Sequence, residues 1–150
     1  MSIQTTKTLE WMRKQNLAPQ IVERFIGVGK FGVRKDFLGI LDIIGFDQTK
    51  TPVQFWGVQS TSLGQKNPHL KTILEDQAEN SRLWLSTGSK LFLVCWRKVK
   101  KKKKDGSFSK VYTWEPKIDE ITLDMLKFNK EEKKEEDSDQ LLPPLGGSLS

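Results

Sequence analysis

One cysteine, one histidine and one tyrosine stand among 150 residues, and these scarcities exclude several kinds of chemistry. A lone Cys95 rules out a disulfide and a cysteine-based zinc site within the chain. Its place between Val94 and Trp96 in an apolar run reads as a buried thiol rather than a nucleophile. No stretch approaches the roughly 18 consecutive apolar residues of a membrane helix. The start, Met1-Ser2-Ile3-Gln4-Thr5-Thr6-Lys7, has no basic region leading into an apolar one, so the expectation is a cytoplasmic protein without a membrane partner.

Positive charge is what the chain has in excess. The formal net charge is +6, and residues 129–140 hold three lysines against six acids, which leaves 22 basic against 13 acidic residues, or +9, elsewhere. Such a balance favours polyanionic partners. The length suits one domain. From Asn129 onward, charge blocks, Pro143-Pro144 and Gly146-Gly147 give no material for a core. The chain therefore divides into a domain over 1–128 and a tail over 129–150 that is expected to be disordered.

Along the domain, Thr8 is placed to cap a first helix that ends near Asn16-Leu17, and Ile21–Ile26 reads as a strand closed by Gly27, Gly29 and Gly32. These glycines match Gly-x-Gly-x-x-Gly, but strand residues follow where a dinucleotide site needs a helix, so they read as turn residues. Residues 33–46 and 53–61 form two further strands joined by a polar connection, an arrangement suited to an antiparallel pair. Asn67-Pro68 starts a long helix that Gly88 stops, with Leu70, Ile73, Leu74, Gln77, Ala78, Ser81, Trp84 and Leu85 on one face. Leu91–Trp96, apolar on both faces, reads as a central strand covered on each side. Asp105-Gly106 signals a hairpin whose return strand includes Val111–Trp114, and a short helix over 122–128 closes the domain.

Asp42 is the residue that needs a reason, because a carboxylate inside an apolar strand is costly to bury unless it is paired, at a rim or holding a cation. Alternation places Asp36, Leu38, Ile40, Asp42 and Ile44 on one face of the second strand, and Gln59 and Thr61 on one face of the third. Pairing of these strands makes Asp42, Gln59 and Thr61 converge. Carboxylate and amide oxygens are hard donors suited to Mg2+ or Mn2+, and such an ion activates water for phosphodiester hydrolysis. Glu23 is an additional candidate ligand or base.

The order helix, strand, strand, strand, helix, strand, with Leu41-Asp42-Ile43-Ile44 on the second strand and Val58-Gln59-Ser60-Thr61 on the third, resembles the PD-(D/E)XK nuclease superfamily. The likeness spans about residues 7–98 and is greatest toward small phage and prophage members. It implies an α/β fold with an αβββαβ restriction-endonuclease-like core and a mixed sheet, to which this chain adds a C-terminal hairpin strand and short helix. It also implies a metal-dependent endonuclease acting on DNA, of phage or Holliday-junction-resolvase type, in the host cytoplasm if phage-encoded. By the resemblance Asp42 is the metal-binding aspartate, with Gln59 at the Asp/Glu position and Thr61 where a lysine belongs. Glu23 and Asp36 complete the catalytic pocket. The neutral amide of Gln59 and the uncharged Thr61 depart from the pattern. Lys66, Lys71 and Lys35 are candidates for a migrated lysine, and double-strand cleavage by such small domains implies a homodimer.

Simpler readings stand beside these. Asp42 pairs with Arg34 or Lys35, Asp36 is a rim carboxylate, and Gln59 and Thr61 hydrogen-bond each other. His69 either caps the long helix or, beside its anion-favouring N-terminus, orients water or contacts phosphate. Trp11, Trp56 and Trp84 read as core. Arg97, Lys98, Lys100 and Lys102, with Lys35, Lys66, His69 and Lys71, are candidate nucleic-acid contacts near Trp96 and Trp114, or else the lysines are a solvated edge that blocks strand pairing. The alternatives to a nuclease are a catalytically impaired nucleic-acid-binding module of the same fold, and a protein-interaction domain with an incidental lysine stripe.

Overall fold

In the computed structural model, which describes residues 1–27 and 31–128, helix α1 (Ile3–Lys14) begins at Ser2, whose side chain accepts from the Thr5 N–H. Thr8, expected as the cap, lies within the helix and is fully buried. There its hydroxyl meets Ser60 Oγ at 2.6 Å and accepts from the Trp96 indole at 2.8 Å. A buried hydroxyl needs such partners. Trp96 is thereby fixed in the core, away from any nucleic-acid surface.

The expected strand over 21–26 is instead two short pieces. Strand β1 (Leu17–Ile21) pairs antiparallel with β4 (Ile43–Asp47), and β2 (Arg24–Ile26) forms a separate two-stranded ribbon with β3 (Val33–Lys35). Pro19 is tolerated within β1 because that strand is a sheet edge. The expected strand over 33–46 is likewise interrupted, by Leu38 and Gly39 at φ of 56° and 70°. Strand β5 (Gln54–Ser62) pairs antiparallel with β4, with Ile43 opposite Val58, and parallel with β6 (Lys90–Lys102). Strand β7 (Phe108–Ile121) returns antiparallel along β6. The main sheet is therefore mixed, in the order β1-β4-β5-β6-β7, and with its helices it makes an α/β architecture.

Helices cover both faces. Leu9 and Met12 of α1 pack with Ile43, Val58, Phe92 and Val94 on one side. On the other lie Leu41, Ile73, Trp84, Leu91, Leu93 and Cys95. Leu91–Trp96 is thus buried on both sides, as expected, and runs parallel to β5. The long helix is broken. Helix α2 (Lys66–Lys71) passes into a π-helical turn, Thr72–Asp76, closed by Gln77 N–H donating to the Thr72 carbonyl, before α3 (Ala78–Ser86). Trp84 serves the core as expected, and Trp11 and Trp56, partly buried, pack against it. The expected terminal helix is a single 3-10 turn, Leu123–Met125, and the return strand is far longer than expected. The expectation for the tail concerns residues outside the described ones. No helix among the described residues is long and apolar enough to cross a membrane.

Gly57 lets α3 close on the sheet: a Cβ there would stand 2.7 Å from Leu41 Cδ2 and 2.8 Å from Trp84 Nε1. That indole is fixed by donating to the Lys90 carbonyl at 2.8 Å. Gly57→Ala is therefore expected to destabilise the fold by about 1–3 kcal/mol, measured by denaturant unfolding, because the ring has nowhere to retreat without losing its hydrogen bond.

Candidate active site

The left-handed pair Leu38-Gly39 turns the chain into a compact loop, closed by Phe37 N–H donating to the Leu41 carbonyl. Asp36 is thereby brought back beside β5. At the loop's end Asp42 donates its N–H to Val58 and accepts at its carbonyl from the N–H groups of both Val22 and Glu23. Glu23 thus belongs to the break between β1 and β2, not to a strand, and this backbone contact is what places it beside Asp42.

The Asp42 side chain is only 6% exposed, and its Oδ1 accepts from the Ser60 N–H at 3.1 Å. Neither Arg34 nor Lys35 forms an ion pair with it, so the simple salt-bridge reading does not hold among the described residues. Burial, then the nearby charge of Asp36 and of Glu23, push its pKa up to about 8 against the opposing Ser60 hydrogen bond. Burial also raises Asp36, opposed by its hydrogen bond from Gln59 and by His69. Acidic groups have been gathered here without a counter-ion, and a proton takes the place of the missing positive charge.

Gln59, also buried, ties the group together. Its Nε2 donates to Asp36 Oδ2 at 3.1 Å and lies 3.1 Å from His69 Nδ1. Exchanging the amide's oxygen and nitrogen would set an acceptor against a carboxylate, so the donor assignment follows from chemistry. Gln59 Oε1 is buried and has no hydrogen-bond partner. An orphaned acceptor costs about 1–3 kcal/mol. Thr61, two residues along the same face, takes no part in these bonds, so the expected Gln59–Thr61 pair is not formed.

A second charged group lies farther along the same face. In the strand register Thr61 stands beside Cys95, Cys95 opposite Lys117, and Leu93 opposite Asp119. Lys66, the first residue of α2, reaches down so that its Nζ is 3.5 Å from Asp119 Oδ2. The Lys66 ammonium beside it pushes Lys117 below the ordinary lysine range. Burial, then the Asp119 charge, raise the Cys95 thiol, which is buried as expected. Lys66 and His69, three residues apart, thus place α2 over both groups.

The remaining candidates divide. Lys35 lines, with Val22, Arg24, Asp36, Phe37 and Leu38, a cavity of about 310 Å³ that includes one of the three carboxylates, Asp36. Lys71 pairs with Asp76 at 3.3 Å on the surface and is removed from the site. Arg97 pairs with Glu115, while Lys98, Lys100 and Lys102 lie on the far part of β6. Lys117 and Asp119 escaped the sequence reading because β7 was expected to be short. Their alternation with Ile121 was the available signal. Among the described residues no three His, Cys, Asp or Glu side chains form a metal-holding group by themselves. No family model, no curated protein and no solved structure matches this chain.

Proposed function

We propose that this chain is a Mg2+- or Mn2+-dependent endonuclease of the PD-(D/E)XK type that hydrolyses DNA phosphodiester bonds. The reading is supported above all by one observation: the buried Asp42 carboxyl has the half-buried Asp36 and Glu23 near it and no basic partner among the described residues, and the Gln59 side-chain oxygen is unpartnered. The succession α1, β1, β4, β5, α2–α3, β6 supports a restriction-endonuclease-like core, with β7 as the added hairpin strand.

The donor set fits a divalent cation. Asp42 supplies a carboxylate in need of counter-charge, and Gln59 Oε1 supplies a neutral oxygen in need of any partner. When bound, such an ion supplies Lewis-acid polarisation of the phosphate and a water of lowered pKa. The chain's own residues do the rest. Asp36, held by the Gln59 amide, and Glu23 are the available proton acceptors, and His69 fixes the amide's orientation. Lys66 and Lys117 offer the phosphate the positive charge that Thr61 lacks.

The second reading, a catalytically impaired nucleic-acid-binding module, is favoured by the neutrality of Gln59 and Thr61. Plasmid and branched DNA incubated with Mg2+ or Mn2+ separate the two. The nuclease reading expects cleavage by the native chain and none by Asp42→Ala. Absence of cleavage from a folded native chain, or equal cleavage by the variant, contradicts it.

A further inference from the structure

Beyond the pair Ser62–Trp96, β5 ends while β6 and β7 continue together as a two-stranded ribbon. Residues 97–115 hold eight basic residues against two acidic, while the whole chain holds 25 against 19, so the rest is balanced at 17 against 17. The entire net charge of the chain resides on this ribbon. Its acids are occupied locally. Glu115 pairs with Arg97 at 3.4 Å at the ribbon's base, and Asp105 Oδ1 accepts from the Ser107 N–H and hydroxyl at 2.9 and 2.6 Å within the turn. Charged side chains, lysine above all, protect an edge strand. Seven lysines on one hairpin create a strong field of one sign, which opposes folding and favours a polyanion.

The lysines nearest the sheet are also ordered. Lys98 is opposite Trp114 and Lys100 opposite Tyr112. Lys98 Nζ stands 5.3 Å from the Trp114 ring and 6.0 Å from the Tyr112 ring, and Lys100 Nζ stands 5.6 Å from the Tyr112 ring. Aromatic rings occupied by ammonium groups are not open platforms for unpaired bases, which disfavours a single strand. Arg97–Lys102 extends the ribbon by about 20 Å, and a two-stranded ribbon fits the roughly 12 Å major groove of B-form DNA. The deep, narrow groove of A-form RNA does not admit one.

We infer that the β6–β7 ribbon is a duplex-DNA arm, entering the major groove and placing Lys98, Lys100 and Lys102 against its phosphates. Lysine contacts of this kind position a duplex without reading its sequence. The inference deepens the nuclease reading by naming the substrate form and rests on that reading for this consequence only. Binding itself needs no cleavage.

The test is fluorescence anisotropy of the full chain in EDTA with one sequence as duplex DNA, duplex RNA and single-stranded DNA over a salt series. Duplex DNA is expected to bind tightest. The triple variant Lys98→Ala/Lys100→Ala/Lys102→Ala is expected to flatten the log–log salt slope by about 2.7, near 0.9 for each lost phosphate contact. Lys7→Ala/Lys14→Ala on α1 should leave the slope unchanged, and thermal melting shows that each variant folds. An unchanged slope in a folded triple variant, or RNA or single-stranded DNA binding as tightly as duplex DNA, overturns the inference. Intact duplex binding without cleavage in Mg2+ overturns the nuclease reading alone.

Discussion

Asp42→Asn is expected to abolish cleavage and, in the same protein freed of divalent cations, to raise the melting temperature at pH 8. Both effects arise from one feature, a carboxyl whose pKa is raised from 3.8 to about 8, first by burial and then by Asp36. Below about pH 4 the folded and unfolded chains both carry this proton, and no penalty applies. As pH rises, the unfolded chain releases it near the ordinary value while the folded chain retains it toward pH 8. The stability present in acid is therefore lost progressively between these limits, by about 1.4 kcal/mol for each unit of displacement. Asparagine keeps an oxygen for the Ser60 N–H and has no proton to lose. The variant should therefore gain on the order of 5 kcal/mol over the native chain at pH 8 and almost nothing at pH 4. Thermal unfolding across that range checks it. A variant less stable than the native chain at pH 8 would show that the carboxylate has a stabilising partner after all.

The second large effect concerns Lys66. If its ammonium, with that of Lys117, stands in for the charge absent at Thr61, Lys66→Ala should lower the cleavage rate by about 100-fold or more, as expected when one preorganised electrostatic contact to a reacting group is removed. Cation uptake should remain, since Lys66 touches Asp119 and Lys117 rather than Asp42. Lys66→Arg should restore part of the rate, because the charge persists while the geometry changes. Single-turnover kinetics on plasmid DNA at saturating Mg2+ gives the comparison. Unchanged cleavage in Lys66→Ala would remove the α2 lysine from the proposed chemistry.

That Asp42, at the border of β4, and Gln59, within β5, sit on neighbouring segments was legible in the sequence from the antiparallel pairing of those strands. Their side chains take different partners, however, Asp42 the Ser60 N–H and Gln59 the Asp36 carboxyl and His69. Asp36 reached the same place by another route. Alternation along an unbroken strand suggested it, whereas the left-handed turn at Leu38-Gly39 delivers it. A leucine at positive φ carries no residue-type signal. The break between α2 and α3 was hidden for a related reason: the widened turn at Thr72–Asp76 keeps Ile73, Ala78, Ser81 and Trp84 inward, so the apolar stripe looks continuous. Strand β7 was read too short because an edge strand shows only one face to the core and tolerates Pro116, which erases the usual markers. Lys117 and Asp119 were lost with it, and with them the charged group that Lys66 joins.

Calorimetric titration of the cation-free native chain with Mn2+ at pH 7 tests the central claim most directly. The account predicts uptake of a cation with release of a proton, the heat varying with the ionisation enthalpy of the buffer, and loss of both in Asp42→Asn. No uptake by the native chain, or uptake that Asp42→Asn leaves intact, would contradict it.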